Sequence, residues 1–163
     1  MNLPDLSPGA LRASLHDWLG PYVTGSTTLA DLSAHGLDGA INALATWDLR
    51  SRLLQEAPES FTLPNGKSRN ICYSAEEAVL EASIQELFGL QETPTVGSAR
   101  HTLLLHILSP ARRPMQVTRD LGNFWRVGYQ QVRKELRGRY PKHRWPEDPL
   151  SEPPGKTKNL RNR

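Results

Sequence analysis

The amino-acid sequence predicts an α+β fold, in which N-terminal helices precede a small mixed or antiparallel sheet with further helices packed against it. Three observations lead to this class. Apolar residues recur at helical spacing near the N-terminus, apolar and polar residues alternate around Asn65-Gly66, and a nearly continuous apolar run follows in "HTLLLHIL". These patterns are typical of an amphipathic helix, a β-hairpin and a central strand, respectively.

We expect one domain over residues 1–145, with a helical part at 1–58 and an α+β part at 59–145. Beyond Trp145 the composition shifts to Pro, Gly, Lys and Asn, with few apolar residues to bury. Such a segment gains too little from burial to offset the entropy of ordering. Residues 146–163 are therefore predicted to form a disordered, basic, Pro-rich tail.

The helical part contains several recognisable start and stop signals. Ser7, followed by a proline, predicts the N-cap of a short helix that ends near Gly20. A second helical region is punctuated by Thr28, Gly36 and Asp38, and Thr46 predicts the start of a further helix. Pro58 closes this part of the chain.

The α+β part begins with a predicted hairpin. Asn65-Gly66 is the dipeptide that most readily supplies the positive φ angles of a tight turn. Ser74 and Glu77 have the spacing of a capping box, which predicts a helix that ends at Gly89. Two further strands are predicted, the second of them central in the sheet, at "TPTVG" and "HTLLLHILSP".

A last, basic helix is predicted from Thr118, as N-cap, to about Gly138. At 100° per residue, one face of this helix is apolar and is expected to lie in the core; it consists of Trp125, Tyr129, Val132 and Leu136. A second stripe, about a quarter-turn away, presents Arg126, Arg133 and Arg137. Guanidinium groups in a row suit the phosphates of a nucleic-acid backbone. The alternative is that these arginines are solvated or pair with acidic residues of the chain.

The segment after this helix, "RYPKHRWPEDP", interleaves cations with aromatic rings. Arg139, Lys142 and Arg144 are candidates for contacts to phosphates, and Tyr140 and Trp145 for stacking on unpaired bases. In the alternative interpretation, the two aromatic residues pin a proline-stiffened segment onto the domain. Both interpretations stay open at this point.

Charge is distributed unevenly along the chain. Residues 1–110 contain six Lys or Arg and twelve Asp or Glu, whereas residues 111–163 contain fourteen and five. A basic segment of this density predicts a polyanionic partner, or docking on an acidic protein surface. No apolar run approaches the roughly 20 residues of a membrane helix, and the single Cys72 forms no internal disulfide. We therefore expect no membrane partner and a cytoplasmic location.

The sequence contains no recognisable catalytic constellation. "GKT" at 155–157 matches the end of a phosphate-binding loop, but Leu150 stands where the leading glycine belongs, and no strand precedes it. His101 and His106 are separated by an odd number of positions, so a regular strand directs them to opposite faces. We expect no catalytic residue, no metal site and no cofactor in this chain.

Residues 106–149, "HILSPARRPMQVTRDLGNFWRVGYQQVRKELRGRYPKHRWPEDP", resemble the end of the bacterial HrpB-type DEAH-box ATP-dependent RNA helicases. The shared order is Leu-Ser-Pro, Arg-Pro, Gln-Val-Thr, Asp-Leu, Phe-Trp and Arg-Tyr-Pro-Lys-His. The likeness extends through "ELFGLQETP" and, more loosely, through "FTLPNG" and "LGPYVTGSTTLADL". Two positions depart from the family pattern: Arg144 replaces a usual proline, and "NICY" lacks the usual acidic residue before its tyrosine.

The resemblance implies the C-terminal accessory domain of such a helicase, with RNA or another single-stranded nucleic acid as partner and the helicase motor domains acting in cis or in trans. ATP and Mg²⁺ are used by the motor domains of the family, and the motor motifs are absent from these residues. The alternative function is a protein-interaction module that docks on the helicase core or on another protein.

Overall fold

The computed structural model describes residues 4–23 and 34–152, and of residues 34–36 the backbone alone. The chain divides into two compact units, Met1–Leu54 and Gln55–Arg163. Thr28, predicted to punctuate the second helical region, lies outside the described residues. Among the helices of the described ranges, none has the length and apolar content needed to cross a bilayer.

The first unit is helical. Ser7 is the N-cap of the first helix, as predicted, and its hydroxyl accepts a hydrogen bond from the Ala10 N–H at 3.3 Å. Thr46 likewise accepts from the Leu49 N–H at 3.3 Å. The helices are α1 (Pro8–Ala13), α2 (Leu15–Trp18), a 3₁₀ turn (Gly20–Tyr22), α3 (Ala34–Ala43) and α4 (Trp47–Glu56), whose last residues enter the second unit.

The second unit contains, within the described residues, a five-stranded sheet in the order β1-β2-β3-β6-β7 and a separate two-stranded sheet of β4 and β5. Strands β3 and β6 are parallel, and the other pairs are antiparallel. The α+β class with a mixed sheet is therefore confirmed. The strands are β1 (Ser60–Thr62), β2 (Ser68–Tyr73), β3 (Ala78–Ser83), β4 (Thr95–Val96), β5 (His101–Thr102), β6 (Leu104–Leu108) and β7 (Pro114–Thr118).

The predicted hairpin is present between β1 and β2. Gly66 has φ +76°, the left-handed conformation that glycine adopts at little cost. The turn is closed by the Leu63 N–H, which donates to the Lys67 carbonyl at 2.9 Å. The "HTLLLHILSP" segment was predicted as one strand but forms two: Leu104–Leu108 is β6, which lies inside the sheet between β3 and β7 as predicted, whereas His101–Thr102 is β5 of the two-stranded sheet.

The predicted helix after Ser74 is wrong, because this stretch forms strand β3. The Ser74 hydroxyl accepts from the Glu77 N–H at 3.0 Å, but this contact closes the turn between β2 and β3. In β3, Leu80 and Ala82 are buried and the intervening residue is exposed, which is the period of a strand. Pairing on both edges with β2 and β6 overrides the helix propensity of Ala, Leu and Glu. A capping box with the same spacing does occur nine residues later, at Ser83 and Glu86, where it opens a 3₁₀ turn (Ile84–Glu86).

The last helix begins at Leu121 rather than at Thr118, which belongs to β7. Its N-cap is Asp120, whose carboxylate accepts from the Asn123 N–H at 2.8 Å. It contains three continuous segments: α5 (Leu121–Asn123), a π-helical turn (Phe124–Gly128) and α6 (Tyr129–Arg139). Phe124 and Trp125, the first two residues of the π turn, are both buried.

The core of the second unit lies between the sheet and this last helix. Leu80, Leu105 and Ile107 from the two parallel strands are fully buried. Aromatic rings cover them: Trp125 lies 5.0 Å from Phe124 and 5.5 Å from Tyr129, measured between ring centroids. This core fixes the orientation of α6, and with it the basic residues on its surface.

Candidate nucleic-acid interface

The apolar face of the last helix is buried as predicted. Trp125 is 5% exposed and Tyr129 is fully buried, and Val132 and Leu136 pack against the core. The Trp125 indole N–H donates to the Leu90 carbonyl at 2.8 Å. The helix therefore rests on the core through its aromatic residues, and the remaining faces can present charge.

Residues 140–152, called the strap from here on, follow α6 and fold back onto the second unit. The Tyr129 hydroxyl donates to the Pro146 carbonyl at 2.8 Å, and the Gly89 N–H donates to the Pro149 carbonyl at 3.0 Å. The sequence predicted a disordered tail from residue 146 onward, but residues 146–152 are held by these hydrogen bonds, with Pro149 buried. Residues 153–163 are outside the described part of the chain.

Trp145 anchors the strap. Its side chain is 9% exposed, it belongs to the core cluster, and its indole N–H donates to the Tyr140 carbonyl at 3.0 Å. Tyr140 is half-buried and packs against the same core. Trp145 was predicted among the nucleic-acid-binding residues. Because a buried indole is not available to stack on a base, we infer that Trp145 instead anchors the strap to the core.

Two arginines of the predicted binding set form contacts with groups of the strap. The Arg133 guanidinium donates through Nε to the Trp145 carbonyl at 3.0 Å and lies 3.3 Å from the Glu147 carboxylate. Arg144 forms an ion pair with Glu152, in which both side chains are about one-fifth exposed (23% and 21%). In the free chain, Arg133 and Arg144 are therefore engaged by groups of the unit itself.

The other four predicted cations are exposed and will be called the exposed cations: Arg126, Arg137, Arg139 and Lys142. Among the described residues, no carboxylate forms an ion pair with any of them. The Arg139 guanidinium lies 5.8 Å from the centroid of the Tyr140 ring, within range of a cation–π contact. These cations remain accessible to an anionic partner.

An open pocket of about 490 Å³ lies between α6 and the strap. Arg137 contributes an exposed guanidinium to its wall, and the ion-paired Arg133 and Arg144 form another part of it. Its lining consists of Arg133, Arg137, Pro141, His143, Arg144, Trp145, Pro146 and Glu152. Three guanidiniums and a single carboxylate line this pocket, so it favours anions.

Two titratable groups stabilise the strap in its position. Burial raises the pKa of Tyr129, Arg133 opposes the rise and Asp148 adds to it, so the phenol remains protonated and can donate to Pro146. The pKa of Asp148 is lowered by hydrogen bonds from the Ser151 hydroxyl and then from the Leu150 N–H. Asp148 is therefore an anion that orders the turn at the end of the strap.

Sequence reasoning missed Glu147 and Glu152. It assigned both to the tail and looked for binding residues among cations and aromatics alone. The available signal was their position, because carboxylates follow directly after the densest basic stretch of the chain. Opposite charges close in sequence can pair when the chain turns, as it does after α6, where the His143 N–H donates to the Tyr140 carbonyl at 3.1 Å.

The sequence and fold together define a class of protein. The family model described as "ATP-dependent helicase C-terminal" (HrpB_C) matches residues 18–149, which is most of the chain. The chain therefore belongs to this family of helicase C-terminal domains, as its resemblance predicted.

Individual relatives agree with this assignment. The chain is 40% identical over 152 residues to "ATP-dependent RNA helicase HrpB" from Escherichia coli (strain K12), an alignment that covers 93% of this chain and 19% of that protein. It is also similar to the crystal structure of the E. coli DExH-box NTPase HrpB, with a TM-score of 0.88, 39% identity, and coverage of 94% of this chain and 19% of that one. A crystal structure of the Escherichia coli DEAH/RHA helicase HrpB gives a TM-score of 0.71 at 37% identity, over 89% of this chain and 18% of that one. The chain thus spans about one-fifth of the length of these relatives.

Proposed function

We propose that this chain is the accessory C-terminal domain of an ATP-dependent RNA helicase and contributes affinity for single-stranded RNA. ATP hydrolysis belongs, in this proposal, to motor domains that act with the chain in cis or in trans. The observation that supports RNA binding is the set of exposed cations, which lie on and just after one rigid helix and have no carboxylate partner among the described residues. Guanidinium and ammonium groups on a rigid element can follow the phosphates of a strand.

The contacts proposed are to the backbone rather than to bases. Most aromatic residues near the exposed cations are packed in the core and cannot stack on bases, since Trp125, Tyr129 and Trp145 are buried. An interface made of cations alone recognises charge and spacing, so binding should be insensitive to RNA sequence. The domain would therefore hold or guide an RNA strand without selecting it.

The test uses the full chain and a fluorescently labelled single-stranded RNA. Replacing Arg126 and Arg137 together by alanine should weaken binding by about five- to tenfold per lost contact near 0.1 M salt, because each neutralised phosphate releases a counterion. Lys67→Ala with Arg113→Ala is the matched control, since both residues are exposed, lie in turns of the same unit and are remote in sequence from α6.

Equal losses in the two double variants would show that only net charge matters and would contradict the proposal. Absence of RNA binding by the unaltered chain would contradict it as well. Tight association of that chain with the helicase motor domains without RNA would then favour a protein-docking function.

A further inference from the structure

The pocket between α6 and the strap already contains an anion. Glu152 supplies the carboxylate, Arg144 receives it, and both side chains are about one-fifth exposed (21% and 23%). By contrast, Glu147 is 89% exposed in its pair with Arg133 and does not line the pocket. Glu152 is therefore the more buried of the two carboxylates and the one that lies in the pocket.

A carboxylate and a phosphate bind a guanidinium in the same way. Both accept charge-assisted hydrogen bonds from its fork of N–H groups, and both can do so in bidentate geometry. The pocket also retains an excess of positive charge, because Arg133, Arg137 and Arg144 face one lining carboxylate. A phosphate that enters is thus attracted by Arg137 and competes with Glu152 for Arg144.

The main chain of the strap is held in place just before Glu152. The Gly89 N–H holds the Pro149 carbonyl at 3.0 Å, and the Asp148 carboxylate accepts from the Leu150 N–H at 2.9 Å. Gly89 has φ +83°, and a Cβ built on it would lie 3.6 Å from the Glu152 carbonyl, so the strap passes close to this glycine. These two hydrogen bonds do not use the Glu152 side chain, so its carboxylate can leave Arg144 without breaking them.

We propose that Glu152 is a built-in competitor for a phosphate site formed by Arg137 and Arg144: its carboxylate occupies the site in the free chain and leaves when a phosphate of the RNA backbone enters. This proposal rests on the function proposed above and adds a mechanism that lowers RNA affinity in the free chain. Entry of a phosphate exchanges the ion pair between Arg144 and Glu152 for one between Arg144 and the phosphate, so a single anion gains little from Arg144.

The test compares Glu152→Gln with Glu135→Gln in the full chain. Both substitutions remove one negative charge, but Glu135 is an exposed residue of α6 that does not line the pocket and bonds to Gln131. Glu152→Gln should tighten binding of single-stranded RNA by about three- to fivefold, the equivalent of one partly exposed ion pair. Glu135→Gln should change it by less than about 1.5-fold. In an Arg144→Ala background the gain from Glu152→Gln should fall to that of the control.

Thermal unfolding with inorganic pyrophosphate provides a readout that needs no RNA. Pyrophosphate should raise the Tm of Glu152→Gln more than the Tm of the unaltered chain. The increase for Glu135→Gln should equal that of the unaltered chain. Equal effects of the two glutamine variants in both assays would overturn the competitor mechanism, even where loss of RNA binding in the Arg126 and Arg137 variant upholds the proposed function. If pyrophosphate raises the Tm as expected but the chain binds no RNA, the pocket binds phosphate groups that do not come from an RNA backbone. This result would contradict the proposed function.

Discussion

Arg133 and Arg137 lie one turn apart on the same helix, yet they have different environments. Arg133 is 19% exposed and is bound to the Trp145 carbonyl and to Glu147, whereas Arg137 is exposed at the wall of the pocket. The same difference separates Arg144, which is paired with Glu152, from Arg139 and Lys142. In the free chain, a basic run in sequence therefore divides into cations that are paired within the unit and cations that remain available to a partner.

The largest effect is expected when the anchor of the strap is removed. Trp145→Ala should cost about 3 to 5 kcal/mol of the free energy of unfolding, because a buried indole leaves a cavity and the Tyr140 carbonyl loses its donor. Urea unfolding of the chain measures this loss. Trp47→Ala removes the same side chain from a position that is 81% exposed and should change stability by less than about 0.5 kcal/mol. Similar losses in the two variants would refute the anchoring role.

The second expectation separates the two arginines directly. Arg133→Ala should destabilise the chain by about 1.5 to 3 kcal/mol, the range of a hydrogen bond from a charged donor to a partly buried carbonyl. Arg137→Ala should stay within about 0.5 kcal/mol. For RNA affinity, measured under conditions in which both variants are folded, Arg137→Ala should cause the larger loss. If both variants lose stability equally, or Arg133→Ala loses more affinity, the division between held and available cations is incorrect.

A smaller loss is expected from Tyr129→Phe. This change removes the hydroxyl that donates to the Pro146 carbonyl and leaves the ring in the core, so it should cost about 1 kcal/mol. Chemical denaturation with the midpoint and slope fitted separately distinguishes a loss of stability from a change in compactness. An unchanged midpoint would mean that this hydrogen bond does not fix the strap.

The smallest effect is expected at Glu147. Its carboxylate is 89% exposed, and the Trp145 carbonyl holds Arg133 in any case, so Glu147→Gln should cost less than about 0.5 kcal/mol. In the same unfolding assay at high salt, the free energies of unfolding of Glu147→Gln and of the unaltered chain should be nearly equal. A loss comparable to that of Arg133→Ala would show that the ion pair, and not the carbonyl, positions the guanidinium.

Local signals predicted the elements that depend on local chemistry. The Ser7 cap, the Asn65-Gly66 turn and the apolar face of the last helix all follow from residues within a few positions of each other, and all are confirmed. Strand β3 was mistaken for a helix because its residues favour helix locally, while its conformation is imposed by β2 and by β6, which is more than twenty positions away in sequence. The true capping box, at Ser83 and Glu86, has the same spacing as the misleading one at Ser74 and Glu77.

The strap could not be predicted for a related reason. Its hydrogen bonds join Arg133 to the Trp145 carbonyl and Gly89 to the Pro149 carbonyl, and backbone acceptors leave no mark in the sequence. Periodicity placed Arg133 beside Arg137 correctly but gave no information on which of them meets a carbonyl. The composition of the strap, rich in proline and charge, is also that of a disordered segment.

The central claim is that the exposed cations bind RNA phosphates, and the salt dependence of RNA affinity tests it most directly. The slope of log Kobs against log salt should be negative for the unaltered chain and should flatten by about one unit for each cation lost in Arg126→Ala with Arg137→Ala. The slope should be unchanged in Lys67→Ala with Arg113→Ala. A slope that is the same in all three proteins would contradict the claim.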